Sequence, residues 1–190
     1  MHRIAVIGIS GSGKTSMARR LQAVTGLPLH HMDQLFWRGA WAAVPEHEYL
    51  VTHADLVATD AWIIEGYLDP AMANRAHAAD LVVYLDIAPI RCVLNVLARW
   101  LKHRRVARDE LPAAALERLS LTFLQFVASG AEAPAIETAL GMAPDAKVLR
   151  LKSRRAALML ERRLSDECSI ASAFRQGPND RSWRKAHASP

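Results

Sequence analysis

The sequence predicts a three-layer α/β fold built on a five-stranded parallel sheet. Apolar segments alternate with helical segments along most of the chain, which is the pattern of repeated strand–helix–strand units. The apolar segments are continuous runs, as expected for strands that are buried on both faces. The first run leads through a glycine-rich loop into a helix. We therefore expect right-handed crossovers and helices on both faces of the sheet.

The strands are assigned to the apolar runs, and the second is short and contains Pro28. The five predicted strands are Arg3–Gly8, Leu27–His31, Trp62–Gly66, Leu81–Asp86 and Lys147–Leu151.

Helices are predicted between and after these strands from apolar residues spaced three and four apart. Gly26 is a plausible helix end and Ser153 a plausible N-cap. The predicted helices are Lys14–Val24, Glu46–Ala58, Ile90–Lys102, a segment from Pro112 through about Ala128, and Ser153–Leu164.

The positive charge of the chain is concentrated at its C-terminal end. The 190 residues carry 24 Lys/Arg and 19 Asp/Glu, a formal net charge of +5. Residues 1–150 hold 15 of each, so the whole excess lies in residues 151–190, with 9 basic and 4 acidic residues. We expect one domain over residues 1–164 and a basic, disordered tail over 165–190.

Several classes of protein are disfavoured by the rest of the composition. The two cysteines, Cys92 and Cys168, form no C-x-x-C pair, so we expect neither a disulfide framework nor a zinc site. No segment approaches the length of apolar sequence that a membrane-spanning helix needs, and no secretory signal is evident. We expect a cytoplasmic protein without a membrane partner. The sequence gives no indication of the oligomeric state.

The strongest motif lies directly after the first strand. It reads G-I-S-G-S-G-K-T and matches G-x-x-x-x-G-K-[ST], the phosphate-binding P-loop. Its glycines let backbone N–H groups point at phosphate oxygens, and the helix that follows adds its positive dipole end. Lys14 should reach the β- and γ-phosphates of ATP as a catalytic residue, and Thr15 should ligate Mg²⁺. The candidate nucleotide-binding residues in this segment are Gly8, Ser10, Gly11, Ser12, Gly13, Lys14, Thr15 and Ser16.

Three acidic residues stand at or just after predicted strand ends, where open α/β sheets build their sites. Glu65 is the candidate second metal residue, which would bind Mg²⁺ through water. Asp33 is a candidate catalytic residue that would bind or deprotonate the phosphate acceptor. Asp86 fits a loop cap before Pro89 as well as it fits a site role.

A basic segment follows the helix that Pro89 opens. Five of the ten residues in 99–108 are Lys or Arg, and none is acidic. We favour a lid over about residues 100–112, in which Arg104 acts in catalysis and Arg105 contacts ATP. Arg99, just before the lid, is a further candidate catalytic residue. A solvated helix end that complements the helix dipole is the alternative. Trp100 could stack on a nucleic acid, but its helical spacing favours a core position.

The segment between the second strand and the next helix combines histidines with large aromatic residues. Phe36, Trp37 and Trp41 fit acceptor binding and core-edge packing about equally well. His30 and His31 have no third metal ligand at suitable spacing. Arg75 could reach an acceptor anion or form a surface ion pair.

These residues resemble a known family from about Arg3 to Leu164. The run His31 to Trp37, H-x-D-x-L-F-W, together with W-I-I-E-G at Trp62–Gly66 and L-K-S-R at Leu151–Arg154, is similar to the P-loop kinase-like DNA topology modulation proteins, relatives of the adenylate kinases. The resemblance implies the nucleoside-monophosphate-kinase fold with strand order 2-3-1-4-5. It also implies ATP and Mg²⁺ at the P-loop, an acid at Glu65 and an ATP-contacting arginine at Arg99.

The chain departs from that pattern at the acceptor side. The usual D-G-N-Y reads E-G-Y-L from Glu65, the proline–arginine pair of true adenylate kinases is absent, and a usual lid-helix arginine is Asn95. Two functional interpretations follow. The favoured one is an enzyme that transfers the γ-phosphoryl group of ATP to a small nucleotide, nucleoside or other metabolite. The alternative is a nucleotide-dependent regulator related to DNA topology, with nucleic acid as a possible but not favoured partner.

Overall fold

The structure of the protein is a computed structural model, and it describes residues 1–39, 41–103, 119–160 and 162–164. Most of the predicted lid, with Arg104 and Arg105, and the tail 165–190 lie outside the described residues.

Strands and helices alternate through the described residues as the sequence predicts. The strands are β1 (Arg3–Gly8), β2 (Leu29–His31), β3 (Trp37–Arg38), β4 (Ala42–Ala43), β5 (Trp62–Glu65), β6 (Leu81–Leu85) and β7 (Val148–Arg150). The helices are α1 (Lys14–Thr25), α2 (Met32–Phe36), α3 (Glu46–Ala58), α4 (Ala73–Ala78), α5 (Pro89–His103), α6 (Leu121–Ser129) and α7 (Ala133–Gly141). A 3₁₀ turn spans Pro70–Met72, and residues 154–160 are helical.

Five strands form one sheet in the order β2-β5-β1-β6-β7, and every neighbouring pair is parallel. Counted among these five strands alone, the order is 2-3-1-4-5, so the predicted fold class is confirmed. The extra pair β3–β4 is a short antiparallel hairpin that the sequence did not predict. Because all five sheet strands run the same way, their carboxyl ends meet at one edge, where the P-loop begins.

The sheet is covered on both faces, which explains the continuous apolar runs. Residues Ile4–Ile7 of β1 and Ile63–Ile64 of β5 are fully buried. Side chains from α1 and from the helical residues 154–160 pack on one face. The other face packs against α3, α4, α5, α6 and α7. Because successive strand residues point to opposite faces, each of these central strands must be apolar throughout.

The predicted helix from Pro112 through about Ala128 is confirmed over residues 121–128, and only 119–120 of its described residues are not helical. Ser120 has extended backbone, and its Oγ accepts a hydrogen bond from the N–H of Phe123 at 3.0 Å, so helix α6 begins at Leu121. Ser is a strong N-cap because its hydroxyl satisfies a free N–H of the first turn. The sequence analysis also missed α7, which follows Gly130, a residue with a positive φ of 65° at the end of α6.

Ser153 is confirmed as the N-cap of the helical residues 154–160, because its Oγ accepts a hydrogen bond from the N–H of Ala156 at 3.2 Å. None of the described helices is long and apolar enough to cross a membrane.

Candidate nucleotide site

The P-loop connects β1 to α1 at the carboxyl edge of the sheet. Gly8 is the last residue of β1, and Lys14 is the first residue of α1. The ammonium group of Lys14 folds back over the loop and donates hydrogen bonds to the carbonyl oxygens of Gly8 and Ile9, at 3.0 and 3.1 Å. A lysine held over such a loop carries its charge to the place where phosphate oxygens would lie.

Helix α5 holds the middle of the P-loop. Gly11 has a φ of +80°, and a Cβ there would approach the carbonyl oxygen of Cys92 and lie 2.9 Å from Cγ2 of Val96. Asn95 donates a hydrogen bond from Nδ2 to the carbonyl oxygen of Gly11 at 2.9 Å. The sequence analysis noted Asn95 only as a departure from a family pattern. Its amide fixes the loop against α5, and glycine is needed for this close approach.

Glu65 lies at the centre of a short chain of hydrogen bonds. Its Oε1 accepts a hydrogen bond from Thr15 Oγ1 at 3.1 Å and lies 2.7 Å from Nδ1 of His31. The contact with His31 follows from the sheet, because His31 and Glu65 are register partners on the parallel strands β2 and β5. The sequence analysis assigned no role to His31. Its position beside Glu65 becomes evident only when β2 and β5 are known to pair.

Glu65 is charged although it is buried, with 3% of its surface exposed. Burial raises the pKa of this carboxyl group, but the hydrogen bond from His31, the charge of Lys14 and the hydrogen bond from Thr15 together hold the pKa below its ordinary value. With Glu65 ionised, Nδ1–H of His31 is the donor in their hydrogen bond.

The donor set fits a magnesium ion. Thr15 and Glu65 place a hydroxyl and a carboxylate oxygen side by side, and Mg²⁺ prefers hard oxygen ligands. Among the described residues, no group of three or more His, Cys, Asp or Glu side chains could hold a metal ion by itself. Mg²⁺ is commonly held by one or two protein oxygens that act together with phosphate oxygens and water.

Glu132 meets the P-loop from the turn between α6 and α7. Its Oε2 accepts a hydrogen bond from the backbone N–H of Ser10 at 2.5 Å, and its Oε1 accepts one from the hydroxyl of Ser10 at 3.1 Å. Backbone N–H groups of a P-loop are anion-binding donors, so a carboxylate of the protein takes two donors at the start of the loop. The sequence offered no signal for this contact, because Glu132 lies 122 positions from Ser10.

The other predicted P-loop residues differ in exposure. Ser12 is buried, whereas Ser16 is exposed on the first turn of α1. Gly13 caps α1 with a φ of 98°, and a Cβ there would meet no atom within 4 Å.

The remaining candidate residues lie at different places around this edge. Asp33 is exposed on α2, next to the end of β2, and Arg99 is partly buried on α5. Asp86 follows β6, with Oδ2 3.9 Å from Nη1 of Arg150, a residue whose guanidinium also pairs with Glu137. This supports a structural position for Asp86 in an ion-pair network at the edge strand β7.

Arg75 is fully buried, so the surface ion pair considered for it is wrong. Its Nη2 donates a hydrogen bond to the carbonyl oxygen of Tyr67, while Nε and Nη1 have no hydrogen-bond partner in the described part of the chain. Burial lowers the pKa of Arg75 to about 10, against the opposing effect of Tyr49, Glu65 and Asp69, so the guanidinium stays charged near neutral pH.

The aromatic residues after β2 pack on one another. The ring of Phe36 lies edge-on to those of Trp37 and Tyr49, with centroids 4.7 and 5.1 Å apart, and Trp37 contacts Trp41 at 5.3 Å. Such edge-to-face pairs add stability beyond the area they bury. The cluster ties α2 and the β3–β4 hairpin to α3 beside the nucleotide site.

Comparison with known proteins gives no match to a protein-family model or to a curated protein. Solved structures do match. A shikimate kinase from Acinetobacter baumannii, in complex with shikimate, superposes with a TM-score of 0.53 at 15% identity, covering 92% of each chain. The chain has the fold of the P-loop kinases.

Two further structures agree with this assignment. A deoxyadenosine kinase from M. mycoides with bound dATP has a TM-score of 0.50 at 11% identity, covering 85% of this chain and 97% of that one. A gluconokinase from Sinorhizobium meliloti 1021 has a TM-score of 0.50 at 14% identity, covering 90% and 97%. At these identities the likeness establishes the P-loop kinase fold, and the three neighbours act on chemically different small molecules.

Proposed function

We propose that the protein is an ATP-dependent kinase that transfers the γ-phosphoryl group to a hydroxyl group of a small molecule. The observation that carries this proposal is the arrangement at the edge of the sheet, where Lys14 lies over the P-loop and Thr15 and Glu65 share a hydrogen bond. The fold of small-molecule kinases supports it.

In this proposal the P-loop residues 8–16 bind the triphosphate through backbone N–H groups. Lys14 leaves the carbonyl oxygens of Gly8 and Ile9 and pairs with the β- and γ-phosphates. Thr15 and Glu65 are the residues that would hold Mg²⁺. The ion, when bound, neutralises charge on the phosphates. His31 positions Glu65 by hydrogen bonding to its carboxylate.

The chemical step is a displacement at phosphorus. The acceptor oxygen forms a bond to the γ-phosphorus, the bond to the β–γ bridging oxygen breaks, and ADP leaves with that electron pair. The acceptor proton passes to Asp33, which is exposed beside the end of β2. Arg99, together with Arg104 and Arg105, stabilises the charge on the transferred group. Catalysis then rests mainly on positioning and electrostatics.

Calorimetric titration of ATP·Mg²⁺ tests the nucleotide site. Lys14→Ala should weaken binding by at least about tenfold, the loss of one charge-assisted contact to phosphate, while the folded structure persists. Lys147→Ala removes an exposed lysine at the opposite edge of the sheet and should leave binding unchanged. Equal ATP affinity in the wild type and Lys14→Ala contradicts the assignment.

A nucleic-acid-related regulatory role is the second candidate, and the charge distribution is what favours it. The net charge of residues 151–190 equals that of the whole chain, +5. If this role is correct, the full chain should bind DNA with an affinity that falls steeply as the salt concentration rises. Absence of DNA binding by the full chain at low salt excludes it.

A further inference from the structure

A cleft of about 300 Å³ opens beside the nucleotide site, between α2, the first turns of α3 and the 3₁₀ turn. These segments follow β2 and β5, so the cleft lies at the same edge of the sheet as the P-loop. Its volume is at the lower end of the range for small-molecule sites. Its walls include Phe36, Glu46, Tyr49, Leu50, Asp69 and Met72.

The cleft has apolar walls with hydrogen-bond acceptors. Phe36 and Tyr49 present an edge-to-face aromatic pair, and Leu50 and Met72 add aliphatic surface. The carboxylates of Glu46 and Asp69 accept hydrogen bonds and donate none. The hydroxyl of Tyr49 is neutral, because burial and the nearby charge of Asp33 and Asp69 raise its pKa to about 12 despite the opposing charge of Arg75. The charge of Asp33 acting on Tyr49 also indicates that the cleft lies close to the proposed catalytic base.

Positive charge is missing from the walls that the structure describes. The described lining of the cleft contains two carboxylates and no lysine or arginine. Arg38, on the neighbouring hairpin, is paired with Glu48. Arg75 has no exposed surface, donates to the carbonyl of Tyr67 and feels the opposite charges of Glu65 and Asp69. An anion in this cleft would meet two carboxylates, while the nearby cation, Arg75, is buried and already faces Glu65 and Asp69, so its binding is unfavourable.

We propose that this cleft binds the phosphate acceptor, and that the acceptor is an uncharged compound with hydroxyl or amino donors and a flat apolar face. The identification of the ligand as the acceptor rests on the proposed function. The apolar face lies against Phe36 and Tyr49. The donors hydrogen-bond to Glu46 and to Oδ2 of Asp69, whose Oδ1 already accepts hydrogen bonds from the N–H groups of Ala71 and Met72. Compounds that carry a phosphate or carboxylate at this position are rejected by charge.

Binding without ATP tests the proposal, because it does not require phosphoryl transfer. Trp37, which packs on Phe36, supplies a fluorescence signal. The probes are the common ribonucleosides and deoxyribonucleosides, each paired with its 5′-monophosphate, with shikimate and gluconate as acidic hydroxyl compounds. At least one nucleoside should bind, and its monophosphate at least about tenfold more weakly. The proposal is overturned if a monophosphate, shikimate or gluconate binds as tightly as the nucleoside with the highest affinity. It is also overturned if no nucleoside binds.

A variant that removes one carboxylate tests whether the cleft is where monophosphates are disfavoured. Glu46→Gln should reduce the ratio of the dissociation constants of a monophosphate and its nucleoside by about fivefold or more, since one of two repelling charges is lost. Asp55→Asn removes the same charge from an exposed position on the same helix outside the cleft. It should leave this ratio of dissociation constants unchanged. An equal effect of both variants, or of neither, overturns the assignment of the cleft. ATP affinity stays at the wild-type value in both variants, so a failure here is distinct from a failure of the nucleotide site.

Discussion

Replacement of Glu132 by Gln should tighten ATP binding although it removes a native interaction. The Glu132 carboxylate accepts two hydrogen bonds from Ser10, at 2.5 and 3.1 Å. An incoming triphosphate needs donors of the same loop, and it carries the same sign of charge as Glu132. The wild-type protein must therefore give up this pair, or hold two anions close together, when ATP binds.

The size of the effect follows from these contacts. A hydrogen bond to a charged group contributes about 1.5–3 kcal/mol, and a glutamine keeps part of it through its carbonyl oxygen. Two charges about 6 Å apart near a protein surface repel by about 3 kcal/mol before screening by salt. Because Glu132 is only partly buried, we take about half of this value. We expect Glu132→Gln to bind ATP about tenfold more tightly, a gain of about 1.4 kcal/mol.

Stability should move in the opposite direction. Without nucleotide, Glu132→Gln should unfold at lower denaturant concentration, with a loss of about 1 kcal/mol from the weakened pair. Calorimetry gives the ATP affinity, and urea titration gives the free energy of unfolding. Asp145→Asn, an exposed change at the amino end of β7, is the control for the loss of one negative charge. Weaker or unchanged ATP binding in Glu132→Gln refutes the reasoning.

Three further perturbations give separate tests. Gly13→Ala should lower the free energy of unfolding by about 1–2 kcal/mol, because alanine disfavours the positive φ at this position. Gly11→Ala should lower it further and lose ATP binding, because its Cβ would also meet α5. Urea unfolding of both variants checks the difference. Glu65→Gln should raise the Mg²⁺ concentration needed for tight ATP binding, measured by titration of Mg²⁺ at fixed ATP; an unchanged requirement contradicts its metal role. Burial and the charge of Arg75 lower the pKa of His53 to about 4, so the unfolded chain takes up the proton first and stability falls as the pH drops from 6.5 towards 4. About 2 kcal/mol should be lost by pH 5, and His53→Leu should remove this loss in denaturation at pH 7 and 5.

The architecture could be predicted because its signals are local. The central strands β1, β5 and β6 lie in continuous apolar runs, and the glycines and Lys14 of the P-loop lie together in the sequence. The helix Glu46–Ala58 was predicted to the residue because Pro45 precedes it and an apolar face is evident. The hairpin β3–β4 has strands of two residues each, too short for any periodicity to register.

The contacts that shape the site could not be predicted, because they join distant parts of the chain. His31 meets Glu65 across 34 positions, Asn95 meets Gly11 across 84, and Glu132 meets Ser10 across 122. Each of these side chains is an ordinary polar residue in its own segment. Only the strand order and the packing of α5 and the α6–α7 turn on the P-loop bring them to the site.

Transfer of label from ATP to an acceptor is the most direct test of the kinase proposal. The protein is incubated with γ-labelled ATP, Mg²⁺ and a panel of nucleosides, nucleotides and small hydroxyl compounds, including deoxyadenosine, shikimate and gluconate. We predict acceptor-dependent transfer to at least one neutral member, reduced by at least about 100-fold in Lys14→Ala. Transfer at the wild-type rate by Lys14→Ala, or release of label to water alone with every acceptor, contradicts the account.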